Sequence, residues 1–352
     1  MNLPDSNFLP APLWLITSLH VLTLTLHFAA MNFVLGGILF VIIGRAGGRR
    51  DNPAVRRLIT LFPSAMAATV TLGVAPLLFL QLVYPLQMYP ASIVSAWFFL
   101  LIIPAVILVY YLLYAAAFCL KGGKPAGKGW LWPALLGLLY VSLVYSSVFS
   151  MAEHPELIRQ LYARGQGGFQ WNPAVGDYAF RWLHMVLGAL TVGGFFAGVL
   201  GANDAGIFSA GKKIFAYGMA AAGAAGLAYL LSLGDLLGPL MRSRAIWALT
   251  VGVVLSLGSL HLYFKRRFLL AGVALFASLL LMVITRHELR LLVLQGTFDP
   301  AAWRVAPQWA AFLIFLVSFA VAAVLVVYML RLFFSFSGSD PENAISSELV
   351  LL

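Results

Sequence analysis

The stretch Leu13–Ile43 reads LWLITSLHVLTLTLHFAAMNFVLGGILFVII and contains no Asp, Glu, Lys or Arg. About 20 apolar residues in a helix cross the hydrocarbon core of a bilayer, so this run predicts a spanning helix with length to spare. Comparable runs recur at Leu58–Tyr84, Ile93–Phe118, Trp130–Ser150, Tyr178–Leu200, Ile214–Leu233, Ala245–Phe264, Phe268–Thr285 and Pro307–Phe334. The reading is an all-α integral membrane protein of about nine transmembrane helices: one transmembrane domain over 1–335 and a short cytoplasmic tail over 336–352.

The composition agrees. Of 352 residues 62% are hydrophobic and 10% charged, against about 25% charged in a soluble domain. The net charge of +10 does not read as a nucleic-acid surface, because the basic residues sit in short clusters between apolar runs. Arg45, Arg49, Arg50, Arg56, Arg57, Lys121, Lys124, Lys128, Lys212, Lys213, Lys265, Arg266, Arg267 and Arg331 fall at one set of helix ends. Arg159, Arg164, Arg181, Arg242, Arg244, Arg286, Arg290 and Arg304 fall at the other. The positive-inside rule makes the first, larger set cytoplasmic, which puts the N-terminus outside and the C-terminus inside. The implied location is the plasma membrane of a bacterium or archaeon. Met1–Pro12 carries no Lys or Arg, and the first run is too long for a signal segment, so the first helix is expected to remain in the mature chain. Cys119 is the single cysteine, which excludes an intrachain disulfide, a cysteine-held iron–sulfur cluster and a C-x-x-C-H haem attachment.

An internal echo links the first and fifth runs. His27 is followed by Gly36, Gly37 and Gly44, and His184 by Gly193, Gly194 and Gly201, at identical spacings. This pattern predicts two four-helix units pointing the same way, over 13–150 and 178–285, with a ninth helix over 307–334. The small-residue tract Met219–Ala228 reads as close backbone packing.

Ionisable groups are costly in lipid, so intramembrane histidines are the main functional signal. His20 and His27 lie seven residues apart on one face of the first helix. His184 lies one turn from Arg181, and Arg286, His287 and Arg290 cluster at the end of the eighth run. Imidazole on iron with guanidinium on propionate is the pattern of a b-type haem site. The alternative for each histidine is a ring hydrogen-bonded to a helix backbone within the bundle. Arg286 and Arg290 make an anion site for haem propionates or a partner's carboxylates, with a solvated helix end as the other reading. His261, beside Lys265, reads as interfacial, and His154 as a loop residue.

Several of these stretches resemble subunit I of the cytochrome bd quinol oxidases. Leu26-His27-Phe28-Ala29-Ala30-Met31-Asn32-Phe33-Val34-Leu35-Gly36 is similar to that family's first helix, Trp182-Leu183-His184-Met185 through Gly194 to its fifth, and Lys212-Lys213-Ile214-Phe215 through Asp235 to its sixth. The resemblance implies that His27 and His184 ligate haem iron. Three departures accompany it. Only Leu236–Ala245 stands where the family has a long quinol-oxidising loop; Thr250 stands near the place of a haem-ligating methionine; and Ile93–Phe118 has no carboxylate. These features together imply a bd-like relative that kept haems and lost the oxidase machinery. Its expected role is electron transfer between quinone and a periplasmic c-type cytochrome or iron–sulfur partner within a respiratory complex, with one to three b haems. A terminal oxidase and a haem-free transporter are the competing readings.

Overall fold

The computed structural model describes residues 8–45, 52–121, 128–165 and 167–337. Asp5, Arg49, Arg50, Lys124 and the tail beyond 337 lie outside the described residues.

The chain is helical almost throughout. Its helices are α1 (Leu13–Arg45), α2 (Pro53–Val83), α3 (Pro85–Val94), α4 (Ala96–Leu100), α5 (Ile102–Lys121), α6 (Lys128–Met151), α7 (Pro155–Arg164), α8 (Val175–Leu200), α9 (Ala205–Ser232), α10 (Leu237–Arg242), α11 (Ala245–Phe264), α12 (Phe268–Leu294) and α13 (Trp309–Ser337). Among the described residues, eight helices are long and apolar enough to cross a membrane, with α4 and α5 together forming one of them. The apolar stretch Trp309–Ser318 of α13 is shorter than these. Large side chains such as Trp14, Leu78, Ile103, Tyr111, Trp247 and Leu269 stay exposed. A bilayer covers such a surface, and the chain is a multi-pass membrane protein.

Two compact units divide the chain: Met1–Leu13 with Trp303–Leu352, and Trp14–Ala302. In the first, Phe8–Leu9 pairs in parallel with Arg304–Val305. The second holds the main core. Here Leu35, Ile38 and Val41 of α1 pack with Leu58, Phe62 and Met66 of α2, Leu113 of α5, Leu131 of α6 and Ala189 of α8.

Two boundaries differ from the sequence reading. The run Ile93–Phe118 is not one helix, because the chain breaks at Ser95 and again at Leu101. At the first break the Ser95 hydroxyl donates to Gln170 O (2.6 Å) and the Trp97 indole to Gly167 O (3.1 Å), so a distant loop satisfies polar groups near the helix ends. The eighth run does not stop at Thr285. α12 continues to Leu294, so Arg286, His287 and Arg290 stand on a helix whose last turns are packed, and the solvated-end reading is wrong. Leu289 is 3% and Arg290 8% exposed.

Helices α1 and α8 cross at Gly36 and Gly193. A Cβ on Gly36 would overlap the Ala189 carbonyl, and one on Gly193 would overlap the Gly36 carbonyl, so only glycine permits this approach. Further along, Gly37 faces the Phe62 ring on α2, and Gly194 faces the Phe215 backbone on α9. The interval from Phe62 to Phe215 equals that from Gly73 to Gly226, and the interval from Gly36 to Gly193 equals that from His27 to His184. The α1–α2 and α8–α9 pairs are therefore geometric counterparts. Their N-caps also correspond. Asn52 caps α2, Asp204 caps α9, and Asn52 Nδ2 donates to Asp204 Oδ2 at 2.6 Å.

Candidate functional site

The histidine positions repeat this correspondence. His27 Nδ1 donates to Thr69 O of α2 at 2.9 Å, and His184 Nδ1 donates to Ala222 O of α9 at 2.7 Å. A carbonyl can only accept, so Nδ1 carries a proton, and Nε2 of each ring makes no hydrogen bond among the described residues. One turn along each acceptor helix stands a glycine. A Cβ on Gly73 would lie 2.8 Å from His27 Nδ1, and one on Gly226 2.9 Å from His184 Nδ1. Each ring is thus held by a backbone carbonyl and seated against a bare backbone. His20 follows the first pattern, donating from Nδ1 to Pro76 O at 3.1 Å. The spacing of Thr69 and Pro76 on α2 equals that of His27 and His20 on α1.

The backbone-bonded reading of the histidines is therefore what the geometry contains, and it does not compete with the ligand reading. Metal-binding imidazoles regularly donate their second nitrogen to a carbonyl, which fixes tautomer and ring orientation. Among the described residues, no three His, Cys, Asp or Glu gather into a protein-made metal site. Single imidazoles with free Nε2 atoms suit an iron that brings its own equatorial nitrogens, as haem does, so the donor set fits haem b.

The arginines converge on one carboxylate, Glu153. Glu153 follows α6 and is 8% exposed. Its Oε1 accepts from Arg286 and, at 3.2 Å, from Arg290 Nε, while Oε2 lies 3.6 Å from Arg181 Nη1. Burial opposes the charge on Glu153, but Arg286, Arg181 and Arg290 overcome that penalty and hold its carboxyl at about 2. Arg181 also donates to Ser146 O at 2.9 Å. It therefore turns towards α6 while His184 turns towards α9.

Around this cluster lie Tyr84 and Gln87, both buried. The Arg290 guanidinium stands over the Tyr84 ring at 5.8 Å. Burial raises the Tyr84 hydroxyl above its ordinary value, so it stays a neutral donor. The Tyr84 hydroxyl, Gln87 Oε1, Arg286 Nη1 and His287 Nδ1 are buried without a hydrogen-bond partner. His20 and His287 both lie within electrostatic reach of Arg290, so this end of the bundle gathers His20, His287, Arg181, Arg286 and Arg290. His261 is exposed on α11, and His154 lies between Glu156 (3.4 Å) and Asp177 (3.8 Å), as their sequence positions suggested.

Sequence reasoning missed Thr69, Pro76, Gly73, Ala222, Gly226, Glu153, Tyr84 and Gln87. Ala222 and Gly226 do lie in the small-residue tract read as packing. Its seat for an imidazole carries no signal of its own, because backbone carbonyls are present at every residue. Compared with protein-family models, curated proteins and solved structures, the chain gives no match.

Proposed function

We propose that the chain is a b-haem-binding electron-transfer subunit of a respiratory membrane complex. It exchanges electrons between the quinone pool and a periplasmic partner, a c-type cytochrome or an iron–sulfur protein. The observation that carries this reading is the pair of matched imidazole seats, His27 on Thr69 O against Gly73 and His184 on Ala222 O against Gly226. A packing histidine needs no repeat of carbonyl, glycine and tautomer at corresponding positions. In this reading His27 and His184 hold iron through Nε2, with His20 as a third candidate ligand. Arg181, Arg286, Arg290 and His287 surround propionates. Haem, when bound, supplies one-electron chemistry at its iron, and the protein contributes ligand orientation and positive charge. The resemblance of Leu26–Gly36 and Trp182–Gly194 to cytochrome bd helices supports the same assignment.

A pyridine haemochrome assay on the purified chain tests this directly. Stoichiometric b haem is expected, and zero haem would leave the transporter reading in its place. Carbon monoxide should leave the reduced spectrum unchanged if each iron is six-coordinate. A shifted spectrum would instead favour the oxidase, which needs an open iron position.

The topology belongs to the same proposal: nine spans in the plasma membrane of a bacterium or archaeon, N-terminus outside, as two parallel four-helix units followed by α13. The counterpart pairs α1–α2 and α8–α9 support the duplication, and the basic-residue distribution supports the orientation. A phosphatase fused after Arg331 should be inactive, and a fluorescent protein fused there should fold. The reverse result would invert the assignment.

A further inference from the structure

Two connections at one end of the helices are tied together. The turn Lys265–Arg267 joins α11 to α12, and within it Arg266 has φ 56°, a left-handed backbone that side chains other than glycine rarely adopt. The Arg266 guanidinium donates from Nη1 to Ala202 O at 2.8 Å, just past the end of α8, and stands 4.2 Å from the centre of the Phe208 ring on α9. Under this contact Tyr263 is fully buried among the rings of Phe208, Phe215 and Phe268. From α9, Lys212 Nζ stands 5.0 Å from the centre of the Phe264 ring, the last residue of α11. These ties gather Lys212, Lys213, Lys265, Arg266 and Arg267 on one surface, where all of them are exposed.

Among the described residues no carboxylate forms a salt bridge with any of these cations. Asp204, the acidic residue of the α8–α9 connection, is engaged elsewhere: it caps α9 and accepts from Asn52. Beside the cations the surface turns apolar. Tyr217, one turn along α9 from Lys213, is exposed, as are Phe264 and Leu269. These residues sit at the ends of membrane-spanning helices, the depth at which hydrocarbon gives way to lipid headgroups.

We infer that this surface holds an anionic phospholipid, with its phosphate among Lys212, Lys213, Lys265, Arg266 and Arg267 and its acyl chains along Tyr217, Phe264 and Leu269. A phospholipid joins a negative group to apolar tails, and the surface presents cations and exposed apolar side chains in that same order. An acidic protein would match the cations alone. The Arg266 bond to Ala202 fixes the spacing of the two lysine-bearing segments before the lipid arrives, which lowers the ordering cost of binding. The surface shares no residue with the histidine seats or the Glu153 cluster, so it stands independently of the haem reading.

Native mass spectrometry of the full chain in nonionic detergent tests this, with phosphatidylglycerol and phosphatidylcholine of identical acyl chains as the probes. Wild type should retain one phosphatidylglycerol under conditions that strip phosphatidylcholine. Lys213, Lys265 and Arg267 make no described side-chain contact, so Lys213→Gln/Lys265→Gln/Arg267→Gln should fold as wild type does. It should nevertheless raise the half-saturating concentration of phosphatidylglycerol by about tenfold or more. Arg57→Gln/Lys121→Gln/Lys128→Gln removes as many charges from the same set of helix ends and should change that concentration by no more than about twofold, because a diffuse positive field is not the cause. Glycerol 3-phosphate, which carries the anion without tails, should not displace the lipid. The inference is overturned if both lipids are retained equally, if the two triple variants lose phosphatidylglycerol alike, or if glycerol 3-phosphate competes, since the cations would then serve a general surface charge or a free anion.

Discussion

His27→Ala and His184→Ala should each abolish the haem that the missing ring holds, with the chain still inserted and folded. Insertion depends on the apolar length of α1 and α8, which these substitutions leave intact. The acceptors Thr69 O and Ala222 O lie inside α2 and α9, where helix bonding already satisfies them, so removing the imidazole strands no buried group. His27→Gly and His184→Gly supplied with free imidazole should recover haem absorbance, a response that a purely structural histidine would not give. Gly73→Val and Gly226→Val should lower haem occupancy while leaving both ligand residues in the chain, because a Cβ at each site already crowds the ring. Full haem in both alanine variants would make the rings structural ties between helices and would remove the main support for the electron-transfer reading.

Apolar length and charge-free runs made the spanning helices legible, because the bilayer imposes one requirement on every span. Gly36 and Gly193, at the same offset from His27 and His184, were legible for a related reason: the close crossing of α1 and α8 there admits only glycine, so it leaves a trace in the chain. The interruption at Ser95 left no comparable trace. Hydropathy is indifferent to it, and the groups that stabilise it come from Gly167 and Gln170, more than a span away in sequence. The arginines were recognisable as an anion site, since Arg286 and Arg290 lie one turn apart. Their protein partner was not. Glu153 stands in a short connection, where a carboxylate is ordinarily solvated, and its burial arises only when α8 and α12 close over the end of α6. One feature did set it apart, its place directly after an apolar run in a chain with 12 acidic residues among 352.

Glu153 should be the costliest polar position in the molecule, and its removal should cost more than the loss of any one of its arginines. Glu153→Gln leaves three guanidinium groups, those of Arg181 and Arg290 about nine-tenths buried, without their ion-pair partner, and stripping one partner from a buried ion pair costs about 3–5 kcal/mol. Arg290→Gln loses a charge-assisted bond but relieves repulsion among the remaining cations, so the net loss should be about 2 kcal/mol or less. Thermal unfolding of the haem-free chain in detergent, where no propionate offsets the arginines, compared across Glu153→Gln, Arg181→Gln, Arg286→Gln and Arg290→Gln, measures the order directly. The pH dependence follows from the same electrostatics. The folded carboxyl is held at about 2, below its ordinary 4.5. Its contribution is therefore complete above pH 4.5 and lost progressively as pH falls towards 2. The stability gap between wild type and Glu153→Gln should stay constant from pH 8 to about pH 5 and close below that. An arginine variant as damaging as Glu153→Gln would mean that the cluster holds no surplus charge, and that an unseen carboxylate or a bound anion already balances it.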